Sequence, residues 1–164
     1  MAKLTDNQNF LQPTGFKVLI DRKNYPNMEF FVQTAAHPSV SLPQTEVSYG
    51  RASVHMSGDK LTFDELNFDV ILDEDMEAYN EMYSWLKRLV EENNAPPSVT
   101  GEKTSSFADI SMMMLSSHQN KTKRIVYRDC VPTSLGSISM TSNTSDTAFL
   151  TVPMSFTFSY FDIV

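Results

Sequence analysis

The closing stretch constrains the fold more than any other part of the chain. From Phe149 to Phe161, the side chains of Leu150, Val152, Met154, Phe156, Phe158 and Tyr160 share one parity. Successive side chains of a strand point to opposite faces, so this thirteen-residue alternation predicts a long strand with one buried face. Such a strand needs neighbours, and the rest of the chain supplies them. Leu66, Phe68, Val70 and Leu72 alternate with Asn67, Asp69 and Ile71, which predicts a second half-buried strand. Phe16 to Asp21 and Met28 to Ala35 flank Asn24-Tyr25-Pro26-Asn27 and predict a hairpin. Ala36 to Pro43 reads as a loop. Glu46 to Met56 alternates around Val47, Tyr49, Val54 and Met56, and Gly50 interrupts it, so two strands or a bulge are expected. Ser57 to Lys60 is a turn. Phe107 to Ser116 and Lys121 to Cys130 predict strands joined by a turn at His118-Gln119-Asn120. Pro132 to Gly136 reads as a loop into a strand over Ser137 to Thr141, with a turn from Ser142 to Thr147.

One helix interrupts this pattern. Between Asp73 and Glu92, Tyr79, Met82, Tyr83, Leu86, Leu89 and Val90 recur at three- and four-residue spacing. Asp73 or Asp75 can cap it, and Glu74, Asp75 and Glu77 complement the positive end of its dipole. Lys87 and Arg88 lie toward the other end, and Asn93-Asn94 with Pro96-Pro97 stop it. The expected fold is therefore mainly β: an antiparallel barrel or sandwich with one flanking helix at about residues 75–92. One domain spans 1–164, with 1–14 as an N-terminal arm and 96–106 as an exposed loop.

Composition narrows the function. The chain has 164 residues, 20 acids against 13 Lys and Arg, and a formal net charge of −7. That balance argues against gripping nucleic-acid phosphate and against binding an anionic membrane surface. The single cysteine, Cys130, excludes an intrachain disulfide and a thiolate zinc cluster. The opening MAKLTDNQNF lacks an apolar signal core, and no stretch approaches the roughly 20 apolar residues of a membrane-spanning helix. A soluble protein in a reducing compartment is expected, with no membrane anchoring.

The constellations that resemble chemistry fail on spacing. A calcium loop starting at Asp73 needs glycine at its sixth position and glutamate at its twelfth; Ala78 and Ser84 stand there. Gly101-Glu102-Lys103-Thr104 lacks the adjacent Gly-Lys and the earlier glycine of a phosphate loop. His37, His55 and His118 lack metal-ligand spacing, and no nucleophile elbow accompanies them. Cys130 reads as a small buried hydrophobe. Asn120-Lys121-Thr122 and Asn143-Thr144-Ser145 match the glycosylation acceptor pattern but read as turn residues without a secretory signal. Met112 to Met114 cannot all point inward from a strand, which favours an oligomer. No catalytic residue, metal or cofactor is implied.

Several segments, taken in order, resemble the tail tube protein family of contractile-tailed, T-even-type bacteriophages. They are GFKVLID at Gly15 to Asp21, FFVQTAAHPSVSLP at Phe30 to Pro43, and MSGDKLTFDELNFDVILDED at Met56 to Asp75. The helix NEMYSWLKRL at Asn80 to Leu89 carries Trp85 near its middle, as the family's helix does. YRDCVPTSLGSISM at Tyr127 to Met140 matches a family strand-turn-strand, with Asp129-Cys130 where the family has glycine, and FTFSYFDIV closes the chain. The resemblance covers Gly15 to Val164 and implies a fold shared with type VI secretion tube proteins. It implies six-membered rings stacked into a hollow conduit for DNA delivery, inside a contractile sheath. The implied partners are further copies of the chain, the sheath protein, and baseplate and terminator proteins. DNA passes without specific binding. The implied location is the virion tail, after assembly in the host cytoplasm.

A ring satisfies edge strands by pairing them with neighbours, so Glu46 to Met56 and the closing strand are candidates for an inter-subunit sheet. An acidic lumen repels phosphate, and strand parity nominates Glu46, Asp64, Glu65 and Asp69. Pro38, Pro43, Pro96 and Gly101 mark loops placed to reach the next ring. A tube initiator or baseplate hub protein shares the fold and stays open as an alternative. From other classes, so do a monomeric ligand-binding β-barrel and a small enzyme using His55 or His118.

Overall fold

A computed structural model of the chain describes residues 10–21, 24–94, 106–142 and 149–164. The elements run β1 (Phe16–Leu19), α1 (Pro26–Phe30), β2 (Val32–Ala36), β3 (Val40–Ser41), β4 (Gln44–Tyr49), β5 (Ala52–Ser57), β6 (Thr62–Phe63), β7 (Leu66–Ile71), α2 (Glu77–Asn94), β8 (Ala108–Leu115), β9 (Lys121–Leu135), β10 (Thr151–Thr157) and β11 (Tyr160–Ile163). The fold is mainly β and antiparallel, as expected. The body is a sheet ordered β1-β8-β9-β10-β7-β2, with β11 added to β9. Two short ribbons, β3–β6 and β4–β5, stand apart from it.

β9 organises the body. Its first half pairs with β8 and β11, and its second half pairs with β10. The bend between the halves falls at Asp129, whose φ of 53° lies in the left-handed region that favours glycine. Asp129 is held there by its N–H, which donates to Asp109 Oδ1 at 3.3 Å, beside the Arg128–Asp109 ion pair. Pro132 therefore sits inside a strand, opposite Phe156 across a register shift, and the expected loop from Pro132 to Gly136 is instead the end of β9. Among the described residues, Ser137 to Thr141 form no strand.

The closing alternation breaks once. Val152, Met154 and Phe156 are buried, as their parity predicts. At Phe158–Ser159 the chain leaves β10, and Ser159 N–H donates to Arg128 O at 3.0 Å. After that step Phe161 rather than Tyr160 packs on the core. The hairpin expected from Phe16 to Ala35 is not formed. β1 pairs with β8, from Phe16 opposite Met114 to Leu19 opposite Ser111, while β2 pairs with β7. The segment between them holds α1, with Pro26 in its first turn. Proline is tolerated there because that N–H has no helical partner.

The core gathers both halves of the sheet and α2. Trp85 is fully buried and stacks on Tyr25 at 4.4 Å. It also lies against Phe156, and its Nε1 donates to Ser106 O at 3.0 Å. Ala78 and Met82 share this buried face of α2, whereas Tyr83 and Val90 of the expected stripe are exposed. The helix starts two residues later than expected. Met76 adopts a left-handed φ, and the Asp73 carboxylate accepts from Glu77 N–H at 3.0 Å. Met113 points away from the core between Lys17 and Arg124, yet it is buried within the subunit, so the methionine run gives no support for an oligomer.

Candidate assembly and conduit surfaces

The first surface is an arm spanning residues 37–64. Its base is tied to the body. His37 Nδ1 and the Tyr127 hydroxyl are 2.7 Å apart, and the His37 ring meets Phe161 edge-on at 5.1 Å. Partial burial lowers the His37 pKa, and burial of Tyr127 raises the phenol's, so the uncharged pair is favoured. Phe63 packs against Phe158 and Phe161. Along the base, Ser39 donates its hydroxyl to the Asp64 carboxylate, and Asp64 N–H donates to Ser39 O. Gly58 N–H donates to Pro43 O at 2.7 Å, and a Cβ at Gly58 would lie 2.3 Å from that oxygen. Only glycine permits so close an approach.

The distal half of the arm is the β4–β5 hairpin, the two-strand outcome expected for Glu46 to Met56. Gly50, with φ of 62°, opens its two-residue turn. Its register places Thr45, Val47, Tyr49, Ala52, Val54 and Met56 on one face, and Gln44, Glu46, Ser48, Ser53, His55 and Ser57 on the other. All twelve residues are exposed, Tyr49 at 82%. An exposed apolar row on a hairpin that pairs with no other strand among the described residues makes a candidate contact surface.

The second surface is the face of β7 and β10 turned away from the core. Leu66, Phe68 and Val70 point inward, so Asn67 and Asp69 point outward. The Ser155 hydroxyl donates to Asn67 Oδ1 at 2.7 Å, and exposed Thr151 and Thr157 extend the row. This wall is small, polar and hydrogen-bonded. Of the four acids nominated from parity, Asp69 lies on it, and Glu65 precedes β7 with the same parity and accepts from Asn67 Nδ2 through its carbonyl at 3.3 Å. Asp64 turns to Ser39 at the base of the arm, and Glu46 stands opposite His55 on the polar face of the hairpin. Pro38 is buried and Pro43 exposed, both at the base of the arm. Pro96 and Gly101 lie outside the described residues, as do the Gly101-Glu102-Lys103-Thr104 motif, Asn143-Thr144-Ser145 and residues 1–9 of the N-terminal arm.

The helical side is joined by groups that periodicity does not reveal. Glu81 accepts from the N–H groups of Asn27 and Met28, at 3.3 and 2.9 Å, and so caps α1 from α2. Arg88 bonds the Tyr25 hydroxyl and lies over its ring. Pro26, whose fixed φ suits the first turn of a helix, was the available sign of α1. Cys130 is buried beside Ile110, and its thiol is pushed up to about 12, mainly by desolvation. His118 lies in the β8–β9 turn. Among the described residues, no group of three His, Cys, Asp or Glu could hold a metal ion. None of the helices among them is long and apolar enough to cross a membrane.

A model of the phage tail tube protein family matches residues 4–164, so the chain belongs to that family. The family consists of structural tube proteins, and the chain is not an enzyme. No curated protein sequence matches it. Solved structures share the fold at low identity. A chain from the structure of the anti-feeding prophage cap, its tube-terminating cap, superposes with a TM-score of 0.69 at 13% identity, over 99% of this chain and 95% of that one. A chain of the PVC extracellular contractile injection system, from its sheath-tube complex in the extended state, gives 0.62 at 12% identity over 96% and 93%. Hcp1 from Flavobacterium johnsoniae gives 0.50 at 11% identity over 91% and 94%.

Proposed function

We propose that the chain is the repeating subunit of a phage tail tube, forming six-membered rings that stack into a conduit for DNA inside a contractile sheath. The observation that carries this reading is the β4–β5 hairpin, whose apolar row stays exposed among the described residues. A ring supplies its cover from the next copy, and the edge of β11 gives a second line of pairing. The polar wall of Asn67, Asp69, Ser155 and Thr157, with Glu65 beside it, faces the lumen. It offers DNA hydroxyls, amides and carboxylates but no cation, so phosphate passes without releasing counterions to a binding site. Pro43, exposed at the base of the arm, reaches toward the adjacent ring. The exposed face of α2, with Tyr83 and Val90, is left for the sheath, and baseplate and terminator proteins cap the ends. The whole chain acts as one domain. The product is a component of the virion tail, assembled in the host cytoplasm.

Likeness to a chain from a tube-terminating cap structure supports a second reading, a protein that starts or ends the tube. Negative-stain imaging of the purified chain at rising concentration separates the two. Long stacks of rings are expected for the repeating subunit, and single rings that never stack for an end protein. A stable monomer at every concentration rejects both.

A further inference from the structure

We infer that the open seam between β1 and β2 receives the β4–β5 arm of a second copy; this rests on reading the arm as an inter-subunit contact. Among the described residues β1 and β2 are the two ends of the main sheet path, so each carries an outer row of backbone donors and acceptors with no strand partner. Both lips open on one cavity of about 640 Å³. Phe16, Lys17 and Val18 line it from one lip, Val32 from the other, and Glu29 from α1. Phe16 and Val32 pack against the core on one side and reach the cavity on the other. The seam is thus a point where the apolar interior meets unpaired strand edges.

The arm has the complementary properties. Each of its strands has six residues, about 20 Å at the usual rise, long enough to run the length of either lip. Among the described residues its outer edges have no strand partner, and its apolar row is exposed. The arm does not lie on its own seam, since every residue of both strands is exposed, so the occupant comes from another copy. The formal charges on the paired strands are opposite: Glu46 is the only one on the two arm strands and Lys17 the only one on the two lips, while the acid Glu29 lines the cavity from α1. Addition of an arm strand to a lip pairs both backbones, while Val47 or Val54 covers the apolar cavity wall.

Disulfide trapping tests this. Thr14 lines the seam and Thr45 sits on the apolar row, both exposed. Buried Cys130, with its raised thiol pKa, stays out of the exchange. Differently tagged Thr45→Cys and Thr14→Cys chains are co-assembled, oxidised and run on a non-reducing gel. Most chains are expected as the mixed dimer, at least tenfold above a Thr45→Cys with Tyr83→Cys control. Equal trapping to Tyr83→Cys, or none in assembled material, overturns the inference. Independently, Glu46→Lys is expected to weaken assembly severalfold at low salt, and Lys17→Glu in the same chain to restore it; absence of restoration counts against the seam. The parent reading fails separately. If the Val47→Asp/Val54→Asp chain assembles as the wild type does, the arm is not a contact at all. If that variant fails to assemble and trapping at Thr14 is also absent, only the seam is rejected.

Discussion

The body and the arm of this subunit are built on the same alternation and end in opposite states. In β7 and β10 every second residue is buried: Leu66, Phe68 and Val70 face Val152, Met154 and Phe156 beneath α2. In β4 and β5 the same apolar–polar rhythm leaves all twelve residues exposed. Local pattern is satisfied in both. Only the body has a second layer, and a hairpin without one is marginal in water. On the proposed function, the body holds the stability of the monomer, and the arm holds the free energy of assembly. If the subunit polymerises as proposed, this separation lets substitutions change assembly without unfolding it.

The largest effect expected is in the body. Trp85→Ala removes the ring that stacks on Tyr25 and packs against Phe156, and should cost about 3–5 kcal/mol in urea unfolding. Unchanged stability would break the division between the two regions. Val47→Asp with Val54→Asp sharpens it. Monomer stability should move by less than about 0.5 kcal/mol, as for exposed sites generally, while sedimentation shows ring and tube formation lost. A large fall in monomer stability would show that the arm is part of the body after all.

Smaller effects probe the joints. Asp129→Gly relieves a left-handed backbone at the bend of β9 and should raise stability by about 1 kcal/mol, measured as an upward shift in Tm. A fall would mean that the Asp129 side chain contributes more than the strain costs, since the N–H bond to Asp109 is kept by glycine. At the base of the arm the His37 pKa is depressed by burial. The unfolded chain then takes up a proton that the folded chain resists, so this contribution is present above the unfolded value near 6.5 and lost as pH falls through it. His37→Gln should flatten that acid slope in a pH series of urea midpoints; an unchanged slope assigns it to other groups. Cys130 acts in the opposite range: its raised thiol pKa costs stability as pH rises above 9, and Cys130→Ala should reduce that loss.

Much of the body was legible from sequence because its strands alternate cleanly. The parity of Val152, Met154 and Phe156 gave the core side of β10, and that of β7 gave Asp69 and Glu65 their outward face. The break at Phe158–Ser159 was hidden, because aromatic residues occupy both parities there and the step changes which one is buried. The Phe16 to Ala35 hairpin was misread for two physical reasons. Five residues of α1 are too few to show a helical period, and the true partner of β1 lies about a hundred positions away, at Met112 to Met114. The glycine missing at Asp129 was visible as a departure from the family pattern, and it marks the strained bend. The strands of the arm were readable from Val47, Tyr49, Val54 and Met56. That they stay exposed among the described residues is a property of packing, which no local pattern contains.

Hydrogen exchange on the arm amides, compared between dilute monomer and assembled material, tests the division most directly. Residues 44–57 are expected to exchange within seconds in the monomer and to be protected at least a hundredfold after assembly, while β7 and β10 are protected equally in both. Arm amides already protected in the monomer, or still unprotected in the assembly, would contradict it.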